Sequence, residues 1–123
     1  AYFGTRGDYQ PVAAVGAELQ DAGLHVRILS NNNDDNGRLL EGCGLEVQYY
    51  RAMTTAYDMV KHFSPDIVLF QWSMTTVAWV VEEELGIPVV EYAFWPTPPA
   101  ISHLRYAEIL TRKSVLDRHL GRE

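Results

Sequence analysis

Short apolar runs recur along this chain between longer stretches in which apolar residues return every three or four positions. Val12, Val15, Leu19 and Ala22 share one helical face, and Gly23 closes that stretch. His25 to Leu29 reads as a strand, Asn31 to Asn36 as a polar loop, and Gly37 to Gly42 as a short helix. Leu45 to Tyr50 is a further strand, and Met53, Tyr57, Val60 and Phe63 mark a helix from Met53 to Phe63. Asp66 to Phe70 follows Pro65 as an uninterrupted apolar run of the kind found in strands buried on both faces. Met74 to Leu85 is a helix ended by Gly86, Ile87 to Tyr92 a strand, and Pro96 to Pro99 breaks the rhythm. Ile109, Leu110, Val115, Leu116 and Leu120 space an amphipathic helix over Ala107 to Leu120. With Tyr2-Phe3 as the tail of a first strand, the alternation predicts an α/β fold. It is a Rossmann-like parallel sheet of about five strands flanked by helices, one domain over residues 1–123.

That first strand is the weak point of the pattern. It should be central in a doubly wound sheet, yet only three residues precede Gly4. The expectation is therefore a fragment of a longer polypeptide.

Composition narrows the class. At 47% hydrophobic and 21% charged the chain is ordinary globular material, not disordered or fibrous. A net charge of -6 and scattered Lys and Arg argue against a nucleic-acid partner. Cys43 stands alone, so neither an internal disulfide nor a cysteine zinc cluster can form, which fits a reducing compartment. The apolar runs fall far short of the roughly 20 residues of a membrane helix. The expected location is cytoplasmic or at a membrane periphery.

The candidate chemistry lies at the start. Gly4-x-x-Gly7 between a strand and a helix lets backbone approach a ligand, and the helix N-terminus offers free N–H groups. It lacks the Lys and Ser/Thr of a phosphate-binding loop and the third glycine of the dinucleotide fingerprint. On spacing alone it reads equally as a tight turn, with Asp8 as the helix cap and Pro11 in the first turn.

The full octapeptide, Gly4-Thr5-Arg6-Gly7-Asp8-Tyr9-Gln10-Pro11, resembles the opening motif of family 28-type glycosyltransferases, the sterol and lipid glucosyltransferases and antibiotic glycosyltransferases. The commoner family form has Val where Tyr9 stands. The resemblance continues through Ala13, Leu19, Gly23, His25-Val26-Arg27 and Gly44-Leu45-Glu46. It resumes at Pro65-Asp66-Ile67-Val68, Glu84 to Val90, Pro96-Thr97-Pro98-Pro99, Ser102-His103 and Arg112 to Gly121, covering nearly the whole chain in order.

The resemblance implies one half of a GT-B fold, the half that holds a hydrophobic hydroxyl acceptor. A C-terminal donor-binding domain, in cis or in trans, would hold a UDP-glucose-like nucleotide sugar as co-substrate. Asp8 is implied as the base that deprotonates the acceptor hydroxyl, which needs its proton removed as the new bond forms. Arg6 and the helix N-terminus would keep that carboxylate ionised. Gly4, Thr5, Arg6, Gly7, Gln10, Trp72, Ser73, Trp95, Thr97 and His103 are the implied acceptor or cleft-lining residues. Two departures from the family stand out: Leu45 to Pro65 is much shorter than usual, and no donor-site segment is present. The chain alone is expected to bind no cofactor and to transfer no sugar. A non-catalytic structural subunit of a larger assembly, or one half of a split enzyme, are the competing readings.

Other candidates carry bland readings. Asn32, Asp34, Asn36 and Gly37 imitate half of an EF-hand loop, but Cys43 occupies the position of its bidentate Glu. His25, His62, His103 and His119 lack metal-ligand spacing, so no metal site is expected; His25 should be partly buried and hydrogen-bonded. Trp72 and Trp95 follow strand carboxyl ends, where α/β sheets place ligands, whereas Trp79 belongs mid-helix in a core or interface. Glu82 to Glu84 is a solvated helix face.

Overall fold

The computed structural model describes residues 6–31, 35–92 and 113–122. The chain divides into two compact units, Ala1–Arg51 and Ala52–Glu123.

In the first unit, helix α1 (Arg6–Asp21) leads through a tight turn to strand β1 (Arg27–Ser30). Helix α2 (Asp35–Gly42) then leads to strand β2 (Glu46–Tyr49). The strands pair in parallel from Arg27 opposite Glu46 to Ser30 opposite Tyr49. Both helices end the same way. Gly23 N–H donates to Gln20 O at 2.9 Å and Leu24 N–H to Leu19 O at 3.1 Å. Gly44 and Leu45 repeat this on Glu41 and Leu40 at 2.9 and 3.3 Å. Each is a Schellman turn, and the left-handed φ of 89° at Gly23 and 76° at Gly44 is why glycine sits there.

Helix α1 starts earlier than its apolar periodicity indicates, and the octapeptide runs into it. Asp8 lies inside the first turn instead of capping it, and Pro11 is a turn further in than expected. Proline removes the hydrogen bond that the Gly7 carbonyl would accept. Pro11 lies beyond the four N–H groups that a helix start leaves unpaired, so this missing bond is a cost within α1. Tyr9, Ala13, Leu40 and Leu45 form the buried core, with Val12, Val26, Ile28, Leu39 and Val47 packed around it. At Gly16 a Cβ would come within 2.9 Å of Leu45 Cδ2, so the missing side chain lets α1 close on the turn into β2.

The second unit begins with α3 (Met53–Phe63), which ends at Ser64. Strand β3 (Val68–Phe70), a 3-10 turn (Trp72–Met74), α4 (Thr75–Leu85) and β4 (Val89–Glu91) follow. Residues 113–119 form a last helix, α5. Strands β3 and β4 are parallel, Val68 opposite Val89 and Leu69 opposite Val90. Ala56, Tyr57 and Val60 of α3, Val77, Ala78, Val80 and Val81 of α4, and Leu116 of α5 are buried. Helix α5 is tied to α3 by His119 Nε2, 3.1 Å from both carboxylate oxygens of Asp58. Arg122, just beyond α5, pairs with Glu83 and Glu84 of α4.

Two expectations are corrected. The strands do not form one Rossmann-like sheet of five strands, half of a GT-B fold; the described strands make two separate two-stranded parallel sheets. The α/β alternation holds, but strands of three or four residues offer few ladder bonds beyond their own pair. In a doubly wound order the first strand lies between the second and fourth, so β1 and β3 need it as a bridge. The expected first strand, Tyr2-Phe3, lies outside the described residues. Nor is the run from Asp66 to Phe70 buried on both faces: Ile67 is 52% exposed, Leu69 43% and its cross-strand neighbour Val90 46%.

Candidate functional site

In parallel α/β units, ligands gather where the strands' carboxyl ends meet the helix N-termini. Such an edge exists in the first unit. The Tyr9 hydroxyl lies 3.3 Å from Ser30 Oγ, which brings the first turn of α1 over the last residue of β1. Both residues are buried, Ser30 to 1% exposure. Asp8, half-buried, precedes Tyr9 in that turn, and exposed Gly7 and Gln10 flank it. Tyr49 stands opposite Ser30, and Tyr50 N–H donates to Ser30 O at 2.9 Å. Asn31 follows Ser30, and its Oδ1 is buried with no hydrogen-bond partner. The Tyr9–Ser30 hydroxyl pair thus marks this edge, with Asp8 preceding Tyr9 and Asn31 following Ser30 along the chain.

The opposite end of this sheet is an ion-pair cluster. Arg27 Nε donates to Glu46 Oε1 at 2.6 Å, and His25 Nε2 lies 3.0 Å from Glu46 Oε2. Hydrogen bonds from His25 and Arg27 hold the Glu46 carboxyl below the usual carboxylate range. His25 is bonded as expected but exposed rather than partly buried, because it stands just before β1. This cluster ties the strand beginnings together.

The second unit has its own strand edge. Beyond β3, Gln71 is buried, the Trp72–Met74 turn closes through Met74 N–H to Gln71 O at 2.8 Å, and buried Thr75 and Thr76 open α4. Trp72 and half-buried Ser73 follow a strand carboxyl end, as expected. Trp79 does not belong to the core; it is 48% exposed on α4. Glu82 to Glu84 are exposed, as a solvated face requires.

Of the residues singled out from sequence, Asp8, Gly7, Gln10 and the backbone of Arg6 share the first turns of α1. Trp72 and Ser73 belong to the second unit. Gly4, Thr5, Trp95, Thr97 and His103 lie outside the described residues, as do Asn32 and Asp34. Asn36, expected in the polar loop, is helical in α2, and Gly37 is helical there as expected. Among the described residues no group of His, Cys, Asp or Glu is arranged to hold a metal ion, and no helix is long and apolar enough to cross a membrane. Sequence reading missed Ser30, Asn31 and Tyr49. Their signal was polar residues ending an apolar run.

Two phenols carry a pH signature. Burial pushes Tyr92 up to about 12. Burial, the bond its hydroxyl donates to Glu41 Oε1 at 2.8 Å, and the Glu41 charge push Tyr49 up to about 12 as well. A phenol that holds its proton more tightly when folded stabilises the fold below its unfolded value near 10. That contribution is lost as pH climbs from about 10 to about 12. Absorbance at the phenolate band after a rapid jump to pH 11 should therefore show Tyr49 and Tyr92 ionising only as the chain unfolds. Tyr92→Phe should remove one of them. Ionisation of all seven tyrosines in the dead time would contradict both assignments.

No family model, no curated protein and no solved structure matches this chain.

Proposed function

We propose that this chain is the acceptor-binding domain of a nucleotide-sugar-dependent glycosyltransferase acting on a sterol, lipid or other hydrophobic hydroxyl compound. The observation that carries the reading is the octapeptide running into α1, with half-buried Asp8 at the carboxyl edge of the first unit beside the Tyr9–Ser30 pair. In this reaction the acceptor oxygen bonds to the anomeric carbon of the sugar while the bond from that carbon to the nucleoside diphosphate breaks. The hydroxyl proton passes to the Asp8 carboxylate, the general base. The donor, a UDP-glucose-like nucleotide sugar, is held by a second domain supplied in cis or in trans. Tyr9, where the resembling family commonly has Val, adds a phenol that fixes Ser30 at the same edge.

The test is transfer of labelled sugar from a nucleotide sugar to a panel of sterols and long-chain alcohols. The protein assayed carries this domain together with its donor-binding domain. Transfer dependent on residues 1–123 supports the reading, and no consumption of any nucleotide sugar rejects it. A second reading, a non-catalytic subunit of a larger assembly, draws on the apolar surface of Ile67, Leu69 and Val90 in the second unit. It predicts stable co-purification with a partner and no transfer.

A further inference from the structure

We infer that Tyr9 is a positioning residue: its buried hydroxyl bond to Ser30 holds the first turn of α1 on the end of β1 and so fixes where the Asp8 carboxylate stands. The inference rests on the acceptor-side reading, in which Asp8 is the base, and deepens it by naming what sets that base in place.

The first turn of a helix is its least restrained, because its N–H groups have no partner within the helix. In α1 the restraint is weaker still. Pro11 removes the bond that the Gly7 carbonyl would accept, one of those tying this turn to the next. A side-on anchor compensates. Tyr9 is buried and belongs to the cluster of Ala13, Leu40 and Leu45. Such apolar packing is non-directional and fixes how close the turn lies to the core. A hydroxyl bond is directional, and the one at 3.3 Å to Ser30 Oγ fixes which point of β1 the turn faces. Ser30 is a firm anchor: it is buried, it ends β1, and its carbonyl accepts the Tyr50 N–H at 2.9 Å. Asp8 is half-buried and one rigid peptide unit away from Tyr9, so a shift of Tyr9 carries the carboxylate with it. A general base acts only within hydrogen-bond reach of the proton it takes, and small misplacements there lower the rate.

The experiment measures sugar transfer by the protein that carries this domain together with its donor-binding domain. Tyr9→Phe and Ser30→Ala should each lower kcat roughly two- to tenfold, the effect of one hydrogen bond, with KM for the acceptor nearly constant. Combined, they should lose no more than either alone, since both remove the same bond. In an Asp8→Asn background Tyr9→Phe should lower kcat no further, because there is no longer a base to place. A merely structural hydroxyl would lower the melting temperature of each variant and leave kcat as it was.

Unchanged kcat in both single variants overturns the inference. So does a Tyr9→Phe loss of the same size with and without the Asp8 carboxylate. Ser30→Ala leaves the phenol in place and tests the same bond if Tyr9→Phe folds poorly. Each of these failures leaves the acceptor-side reading standing. Only a native protein that consumes no nucleotide sugar removes that reading, and the positioning role falls with it.

Discussion

On the proposed acceptor-binding function, Asp8→Asn should lower sugar transfer roughly 10²–10⁴-fold, the range a positioned general base contributes. Asparagine keeps the size of aspartate and an acceptor oxygen, so the first turn of α1 has no steric reason to change. What disappears is the ability to take a proton. The charge also interacts favourably with the helix N-terminus, worth about 0.3–1 kcal/mol. The catalytic loss corresponds to about 3–5 kcal/mol of transition-state stabilisation, so the two effects differ in scale and in assay. Thermal unfolding should move slightly, kcat should fall steeply, and KM for the acceptor should stay nearly constant. Rates that follow the stability change and nothing more would reduce Asp8 to a helix-end charge.

The second large effect belongs to the core beneath that edge. Leu40→Ala should destabilise the first unit by about 2–5 kcal/mol, the cost of a buried leucine lost with its cavity unfilled. Leu40 is 1% exposed and packs in one cluster with Tyr9, Ala13 and Leu45. They come from three pieces of the unit: Tyr9 and Ala13 from α1, Leu40 from α2, and Leu45 from the turn into β2. Collapse around the cavity therefore has to move α1, and with it the Tyr9–Ser30 contact. Against a typical total of about 5–15 kcal/mol, the loss is large. Denaturant titration should show it, and amide exchange should locate it at β1 and β2, including the Tyr50 N–H bonded to Ser30 O. Leu39, only half-buried, should cost less on truncation. A midpoint shift equivalent to under about 1 kcal/mol, below the range for a buried leucine, would mean that the cluster is not the unit's core.

The site was legible in unequal parts. Asp8 was visible because glycines and a helix start surround it, a local pattern. Tyr9 was visible only as an oddity within the motif, and its partner Ser30 lies far along the chain. Asn31 was passed over as loop. Nothing local distinguishes an amide in solvent from one whose oxygen is buried without a donor, because that depends on what packs over it. Of the two places expected for Trp79, a core or an interface, the core is removed: α4 turns its valines inward and leaves the indole half out.

By itself the sequence determined the alternation of helices and strands. Apolar spacing, helix-ending glycines and the polar stretches between runs are all local, and local preferences act wherever the chain goes. Met53–Phe63 is the clearest case, since periodicity alone set both of its ends. Tertiary structure decided which strands pair, which faces stay open and which side chains meet. The five anticipated strands became two separate parallel pairs among the described residues, and the anticipated buried run became a sheet face with Leu69 and Val90 exposed. The reason is physical. A parallel ladder joins segments distant in sequence, and whether a third strand adds to a pair depends on having enough backbone in the right place. An apolar residue in a strand states only that it can be buried; what covers it is decided by the rest of the fold.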